Sequence, residues 1–268
     1  MSDGRLGSGL CGPGDSIDGE EYSPGGKGFP EQLCLDIAAC YLDGSLHSPS
    51  LGQNDNSLQS FVRGAGLIKS LLEGFKPEER EANSLIDAVL FHAYAQRPAA
   101  QEYQHSAYAL LDHLLSPLIQ ALYETGSNGF RVELPPHVIL PHAAWFLHGT
   151  ADDMLRLSIK GSTNWSFGKG VDHCSLELEG DAPLVGNAAT GSVFVSSAGR
   201  YAFHCEGCEF HVHAKRFSLA EDPERCSFYL HEGMGEMKVE SLLTDGFLQK
   251  GNRLLVPDGS GCWTEVRE

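Results

Sequence analysis

Hydrophobic and polar positions change their period once along this chain. From Phe29 to about Gly126, apolar residues recur at helical spacing, with breaks near Asp43–Asn56, Lys76–Pro77 and Pro98 that divide the stretch into three or four helices. Leu58, Phe61, Val62, Ala65, Leu67, Ile68, Leu71 and Leu72 form one wide apolar face. Pro77 followed by Glu78, Glu79 and Glu81 predicts a helix start, because proline fits the first turn and carboxylates favour its positive end. Leu85, Ile86, Val89, Leu90 and Ala93 are that helix's buried stripe. A further helix, from about Ala99, buries Tyr108, Leu111, Leu114, Leu115, Leu118 and Leu122, with a kink expected at Pro117. No 34-residue repeat recurs, so the segment reads as a small helical bundle.

After Gly126 the helical period gives way to alternation. Cys174-Ser-Leu-Glu-Leu-Glu179 aligns with Gly191-Ser-Val-Phe-Val-Ser196, Cys208-Glu-Phe-His-Val-His213 and Cys226-Ser-Phe-Tyr-Leu-His231, with starts 17, 17 and 18 residues apart. Alternate positions are small or thiol, then apolar, then apolar: Cys174/Leu176/Leu178, Gly191/Val193/Val195, Cys208/Phe210/Val212 and Cys226/Phe228/Leu230. These sets point inward and the residues between them outward, because a strand alternates faces with period two. Leu155, Leu157 and Ile159 form an earlier rung. A strand that recurs with like residues at like positions is what a β-solenoid needs, since each rung stacks ~4.8 Å above the last. An antiparallel sandwich imposes no such columns. The fold expected is therefore α+β in two domains, a helical bundle followed by a short right-handed β-solenoid. The division is a glycine-rich disordered tail at 1–28, the bundle at 29–126, and the solenoid at 127–268, closed by a turn-and-strand cap at Gly246–Val256.

The turns carry a resemblance. Gly161-Ser-Thr-Asn-Trp-Ser-Phe-Gly-Lys-Gly170, then Gly180-Asp-Ala-Pro-Leu-Val-Gly186 and Gly191-Ser-Val-Phe-Val, resemble the glycine-rich repeat of the GXGXG-type right-handed β-helix. That domain is known from the C-terminal part of the glutamate synthase large subunit and from one of the subunits of formylmethanofuran dehydrogenase. The chain also resembles small uncharacterised microbial proteins that join a helical segment to such repeats. The likeness spans roughly Leu155–Val239 and fades after Arg200, where glycines thin out. It implies a structural and interface role, with no catalytic residue carried over.

Composition narrows the function classes. The 268 residues carry 36 acidic and 19 basic side chains, a net charge of −17, which disfavours nucleic acid and anionic membrane as partners. No apolar run is long enough for a membrane helix, and Met1–Leu10 lacks the pattern of a secretory signal, so a cytoplasmic location is expected. Nine of the 31 glycines fall in the first 28 residues, which places part of the glycine excess in the tail and leaves the rest to the solenoid turns. The eight cysteines read as reduced thiols.

Candidate chemistry gathers on two faces. His204-Cys205-Glu-Gly-Cys208-Glu-Phe-His211-Val-His213 has zinc-site composition, but Cys208 points inward and His211 and His213 outward, so one ion cannot bind both sets. Cys205 lies in a turn and could face either way. His211, His213 and His231 share the outward face and form a candidate patch for zinc or another transition metal; the other reading is ordinary exposed histidines. Cys208 and Cys226 sit on adjacent rungs and are a candidate redox pair, whereas Cys174 is two rungs from Cys208; packed, reduced thiols are the alternative. Asp152-Asp153 and Glu221-Asp222-Pro-Glu224 read as solvated turn charge, and His142, Trp145 and His148 as packing residues between the halves. No nucleophile elbow or phosphate loop occurs. The function expected is a non-catalytic binding or assembly module with a protein partner or self-association and no cofactor. The alternative is a metal-binding protein or enzyme using the outward His/Tyr/Glu face.

Overall fold

A computed structural model of the chain describes residues 31–42, 56–95, 104–134, 139–197, 200–214, 217–219, 221–231 and 246–266. The tail expected at 1–28 lies outside the described residues. The helical part comprises α1 (Glu31–Leu42), α2 (Asn56–Leu71), α3 (Glu79–Ala95) and α4 (Gln104–Glu124). No helix among the described residues is long and apolar enough to cross a membrane. At the start of α3 the Glu81 carboxylate accepts from the Glu78 N–H at 3.0 Å, occupying one of the amides the helix cannot pair internally. The apolar face of α2 is narrower than its sequence suggests. Phe61, Ala65, Ile68 and Leu72 are buried, whereas Leu58 and Val62 are 50% and 59% exposed, because α4 covers only part of the stripe.

The rest of the chain is a β-solenoid following the helices. Its strands are β1 (Gly129–Glu133), β2 (Ile139–Ala143), β3 (Leu155–Lys160), β4 (Ser162–Lys169), β5 (Cys174–Glu179), β6 (Val185–Asn187), β7 (Val193–Ser196), β8 (Arg200–Phe203), β9 (Glu209–Val212), β10 (Ser218–Leu219), β11 (Ser227–Leu230), β12 (Arg253–Pro257) and β13 (Trp263–Glu265). Odd-numbered strands stack in the order β1-β3-β5-β7-β9-β11, continued by β12 and β13; even-numbered strands stack as β10-β8-β6-β4-β2. All these pairings are parallel except the last, β12 with β13. A third line of contact runs through single-residue bridges, His148 to Asp172 to Thr190 to Glu206 to Glu224. Each coil thus has three sides. Only the first carries a repeating sequence signal, because the later strands of the second side, β6, β8 and β10, have two to four residues and the third side has single bridges, too short to show a period.

The interior columns are those of a parallel stack, with one correction. Phe194 pairs with Leu176 and Phe210, and Ser196 with Leu178 and Val212, so Val193 and Val195 face outward. The rung at 191–196 is one residue out of the register that the repeat alignment assigns it, and a one-residue slip exchanges the two faces. The column aligned with Cys174 is therefore Ser192, Cys208 and Cys226. Phe194, Phe210 and Phe228 then form a ladder of stacked rings, each 5.0 Å from the next and tilted by 5° and 9°. That spacing is essentially the rung spacing. All three rings are fully buried, each contributing about 1.5–3 kcal/mol by transfer from water.

The corners explain why the glycine pattern fades without the fold fading. Three positions per coil have left-handed backbone: Ala144/Gly168/Gly186/Ala202, Phe146/Gly170/Ala188/His204/Asp222, and His173/Gly191/Gly207/Arg225. Glycine fills five of these sites and bulkier residues the others, the latter at about 1–2 kcal/mol each. Register with the neighbouring coils holds them there. Ionic contacts assist: Lys250 bonds Asp222, Arg225 bonds Glu206, and His204 lies 3.9 Å from Asp222. Lys250 holds the Asp222 carboxyl below its ordinary range.

The helices cap the first coil. An open first rung would leave amides and carbonyls without partners, and three helix side chains stand in for the missing strand. Asn83 of α3 accepts from the Arg131 N–H of β1 at 2.7 Å, and Ser116 of α4 accepts from the Trp145 N–H at 3.0 Å. Gln120 of α4 makes a double contact with His148, accepting from its N–H at 3.0 Å and donating to its carbonyl at 3.2 Å. Helices and solenoid share one continuous apolar core. At the other end Asn252 accepts from the Cys226 N–H at 2.8 Å and donates to the Pro223 and Phe247 carbonyls. Substituting Gln120 by leucine, which keeps the bulk and removes both bonds, is expected to lower the unfolding free energy by roughly 1–3 kcal/mol. Urea denaturation followed by circular dichroism measures it; an unchanged midpoint would show that water replaces the side chain at no cost.

Candidate functional site

The outward face of the odd-numbered sheet carries the histidine patch. Parallel pairing puts Glu177, Val195, His211 and Tyr229 in one outward column. His213 and His231 follow in the next, where the His231 N–H bonds the Val212 carbonyl and extends the ladder. Phe194 and Ser196, which the repeat alignment places in these outward columns, are buried instead. His211 stacks on Tyr229 with ring centres 4.7 Å apart and 6° between planes. His213 stacks on His231 at 4.0 Å and 17°. Across the columns, His211 Nδ1 lies 3.0 Å from His231 Nε2, a hydrogen bond between imidazoles. Trp263 of β13 stands edge-on to both stacks, 5.1 Å from Tyr229 and 5.0 Å from His231.

Nothing in the sequence pattern singles out Trp263. It is about thirty residues from the last histidine, and only the antiparallel return of β13 onto β12 brings it to this face. Burial and mutual repulsion among the imidazoles set the protonation of the patch. Burial, then the charge of His213, lowers the His211 pKa against a raising pull from Glu209; burial, then His213 and His211, lowers that of His231. Both rings are therefore held more firmly in the neutral, lone-pair-bearing form than free histidine. Among the described residues, no group of three or more His, Cys, Asp or Glu side chains is arranged to hold a metal ion.

The thiols sit on the other side of the same strands. Cys174, Cys208 and Cys226 are buried free thiols, and Cys205, whose direction the sequence leaves open, also points inward and is buried. Each occupies a corner where a backbone carbonyl has a lone pair to spare. Cys174 donates to Asp172, Cys208 to Glu206 and Cys226 to Glu224, in each case the carbonyl two residues earlier; Ser192 does the same to Thr190. The small or thiol position is thus a recurring corner donor. Cys208 and Cys226 are register partners, and Ser192 separates Cys174 from Cys208. Burial pushes the Cys174 thiol up to about 12, and the hydrogen bond it shares with Cys205, with burial, pushes the Cys208 thiol up to about 12, since the bond favours the protonated form. The Cys208 thiol, with burial, raises Cys226 as well. A thiol held in its protonated form is a slow nucleophile, since thiolate is the attacking species.

Trp145 and His148 lie at the junction of helices and solenoid, where their backbones receive the helix caps. The side chain of His142 lies outside the described set. Asp152 and Asp153 are both exposed, and Asp153 accepts from the Asn128 side chain at 2.5 Å. At the far end of the same sheet, a cleft of about 570 Å³ between α3 and β1 is lined by charges of both signs, among them Arg80, Asp87, Arg131 and Glu133. Burial, with the Glu133 charge, raises the Asp87 pKa there.

No family model matches the chain, and no curated protein or solved structure matches it at a significant level.

Proposed function

We propose that the protein is a non-catalytic binding module that docks a basic segment of a partner protein on the outward face of the odd-numbered sheet. The observation that carries the reading is the stacked surface of His211, Tyr229, His213 and His231 with Trp263 against its edge. Tyrosine and tryptophan on a rigid support are the residue types that dominate binding energy at protein interfaces. The face also carries Glu177, Glu179 and Glu209, all exposed, on a chain of net charge −17. Carboxylates beside exposed aromatic rings suit arginine and lysine side chains, which pair with the former and lie over the latter. The GXGXG-type resemblance supports the same reading, because in the proteins that carry that domain it is a structural and interface element.

Site-specific photocrosslinking in the native host tests this. A photoreactive phenylalanine at position 229 is expected to give a discrete adduct with a basic protein, lost in Trp263→Ala and weakened by Glu177→Gln with Glu209→Gln. The same adduct should persist in Trp165→Ala, a change on the other sheet. No adduct, or one indifferent to Trp263 and the carboxylates, overturns the proposal.

A further inference from the structure

We infer that His211 and His231 form a two-nitrogen chelate for a divalent transition ion of zinc type, with His213 acting only to hold His231 in place. The pair belongs to the face described above, but its geometry needs no partner protein.

The separation of the two nitrogens is close to what one shared ion requires. Zinc binds imidazole at about 2.0–2.1 Å in tetrahedral geometry, so two nitrogens sharing one ion lie about 3.3 Å apart. His211 Nδ1 and His231 Nε2 are 3.0 Å apart and face each other, as their hydrogen bond requires. Placing an ion between them needs the rings to part by a few tenths of an ångström and to tilt, so that both lone pairs leave the N···N line and meet at the ion. The ring that now donates moves its proton to its other nitrogen through solvent, so two neutral imidazoles bind the ion with no net proton release. His213 cannot join them. Its ring lies flat on His231, and stacked rings present faces to each other, so their lone pairs do not converge. This agrees with the lack of any three-group metal cluster among the described residues. The remaining positions on the ion fall to water, because His231 is exposed.

Neighbouring rings restrict how the two imidazoles can turn. Tyr229 backs the His211 ring, Trp263 stands edge-on to His231, and His213 covers its face, so both rings are held close to the arrangement that admits an ion. Orientation of the ligand ring by its outer contacts is what raises metal affinity at natural histidine sites. Carboxylates of Glu209 and Glu177 add a negative field for a cation on the same face.

The test is calorimetric titration of the full purified chain with zinc sulfate at pH 7.5, with thiol reductant omitted. Wild type is expected to bind one ion per chain saturably. His211→Ala and His231→Ala should each weaken binding by more than about a hundredfold, beyond the range typical of losing an outer contact. His213→Ala should change it by less than that. Nickel or copper(II) at the pair should also quench Trp263, whose ring is 5.0 Å from His231, and the quenching should vanish in His211→Ala/His231→Ala. The unquenched emission and circular dichroism of that double variant report whether the fold survives. Equal zinc uptake by wild type and the double variant overturns the inference. So does a loss in His213→Ala as large as in the other two, which would restore a three-histidine site. Failure here leaves the protein-docking proposal intact, since its crosslink depends on Trp263 and the carboxylates.

Discussion

Replacing Gly180 by alanine is expected to be among the most damaging single changes in the solenoid. Gly180 turns the corner after β5 with φ +154°, and an added Cβ would lie 1.7 Å from the carbonyl oxygen of Gly161 in the coil below. That oxygen belongs to backbone and cannot swing aside as a side chain would. Gly161 is itself held by its N–H bond to the Glu179 carbonyl at 3.0 Å, so relief of the clash must pull two coils apart. Overpacking adds about 1–3 kcal/mol and the unfavoured backbone about as much again, against a total stability of roughly 5–15 kcal/mol. Gly207→Ala is the matched control. Its φ is +62° but nothing lies within 4 Å of the added methyl, so only the backbone penalty of about 1–2 kcal/mol applies. Soluble yield and urea midpoints of the two variants measure the difference. Equal losses would mean that the corner yields and that stacking between coils is softer than the interlocked geometry implies.

Phe210→Ala is expected to cost about 3–5 kcal/mol, the range for a buried phenylalanine whose cavity cannot close. Its ring is the middle of the Phe194–Phe210–Phe228 ladder and also takes the edge of Tyr201, with ring centres 6.0 Å apart. Removing it leaves Phe194 and Phe228 two rungs apart, and the parallel hydrogen-bond ladder that fixes rung spacing prevents their collapse toward each other. Phe210→Leu, which keeps most of the volume, is expected to lose far less. Phe91→Ala on α3 should fall within about 0.5 kcal/mol of wild type, because that ring is 66% exposed. Chemical denaturation of the three variants ranks them; similar midpoints for Phe210→Ala and Phe91→Ala would refute the ladder as the structural spine.

Much of this architecture is legible in the sequence, and the misses have definite causes. Strands β5, β9 and β11 announce themselves by two full alternations each, which fixes which side chains face inward. The rung at 191–196 slips by one residue when Gly191 is matched to the cysteines as a small inward residue, because it is instead the left-handed corner before β7. A better signal lies in the phenylalanines: aligning Phe194 with Phe210 and Phe228 gives the observed register at once. Gly161–Gly170 reads as a turn, yet Ser162–Lys169 is strand β4, since glycines at its ends serve the corners while the segment between pairs with β2 and β6.

The candidate site divides in the same way. That His211, His213 and His231 share one outward face follows from strand parity alone. That His211 bonds His231 across two columns, that His213 stacks instead of converging, and that Trp263 closes the edge depend on ring rotations and on a return strand with no repeat to announce it. Cys205 is similar. It lies outside any strand, so no alternation assigns its direction, and only the packed corner shows it inside.

By itself, then, the sequence determined a helical segment followed by stacked strands, because amphipathic period is a property of neighbouring residues and needs no distant partner to be read. Tertiary structure decided that the helices are the solenoid's first cap, with Asn83, Ser116 and Gln120 completing hydrogen bonds for backbone groups 28 to 48 residues away. It also decided the second sheet, the bridge line and the imidazole pair. Each of these depends on which groups meet across long loops, and that is set by where the backbone still lacks a partner once the local elements have formed.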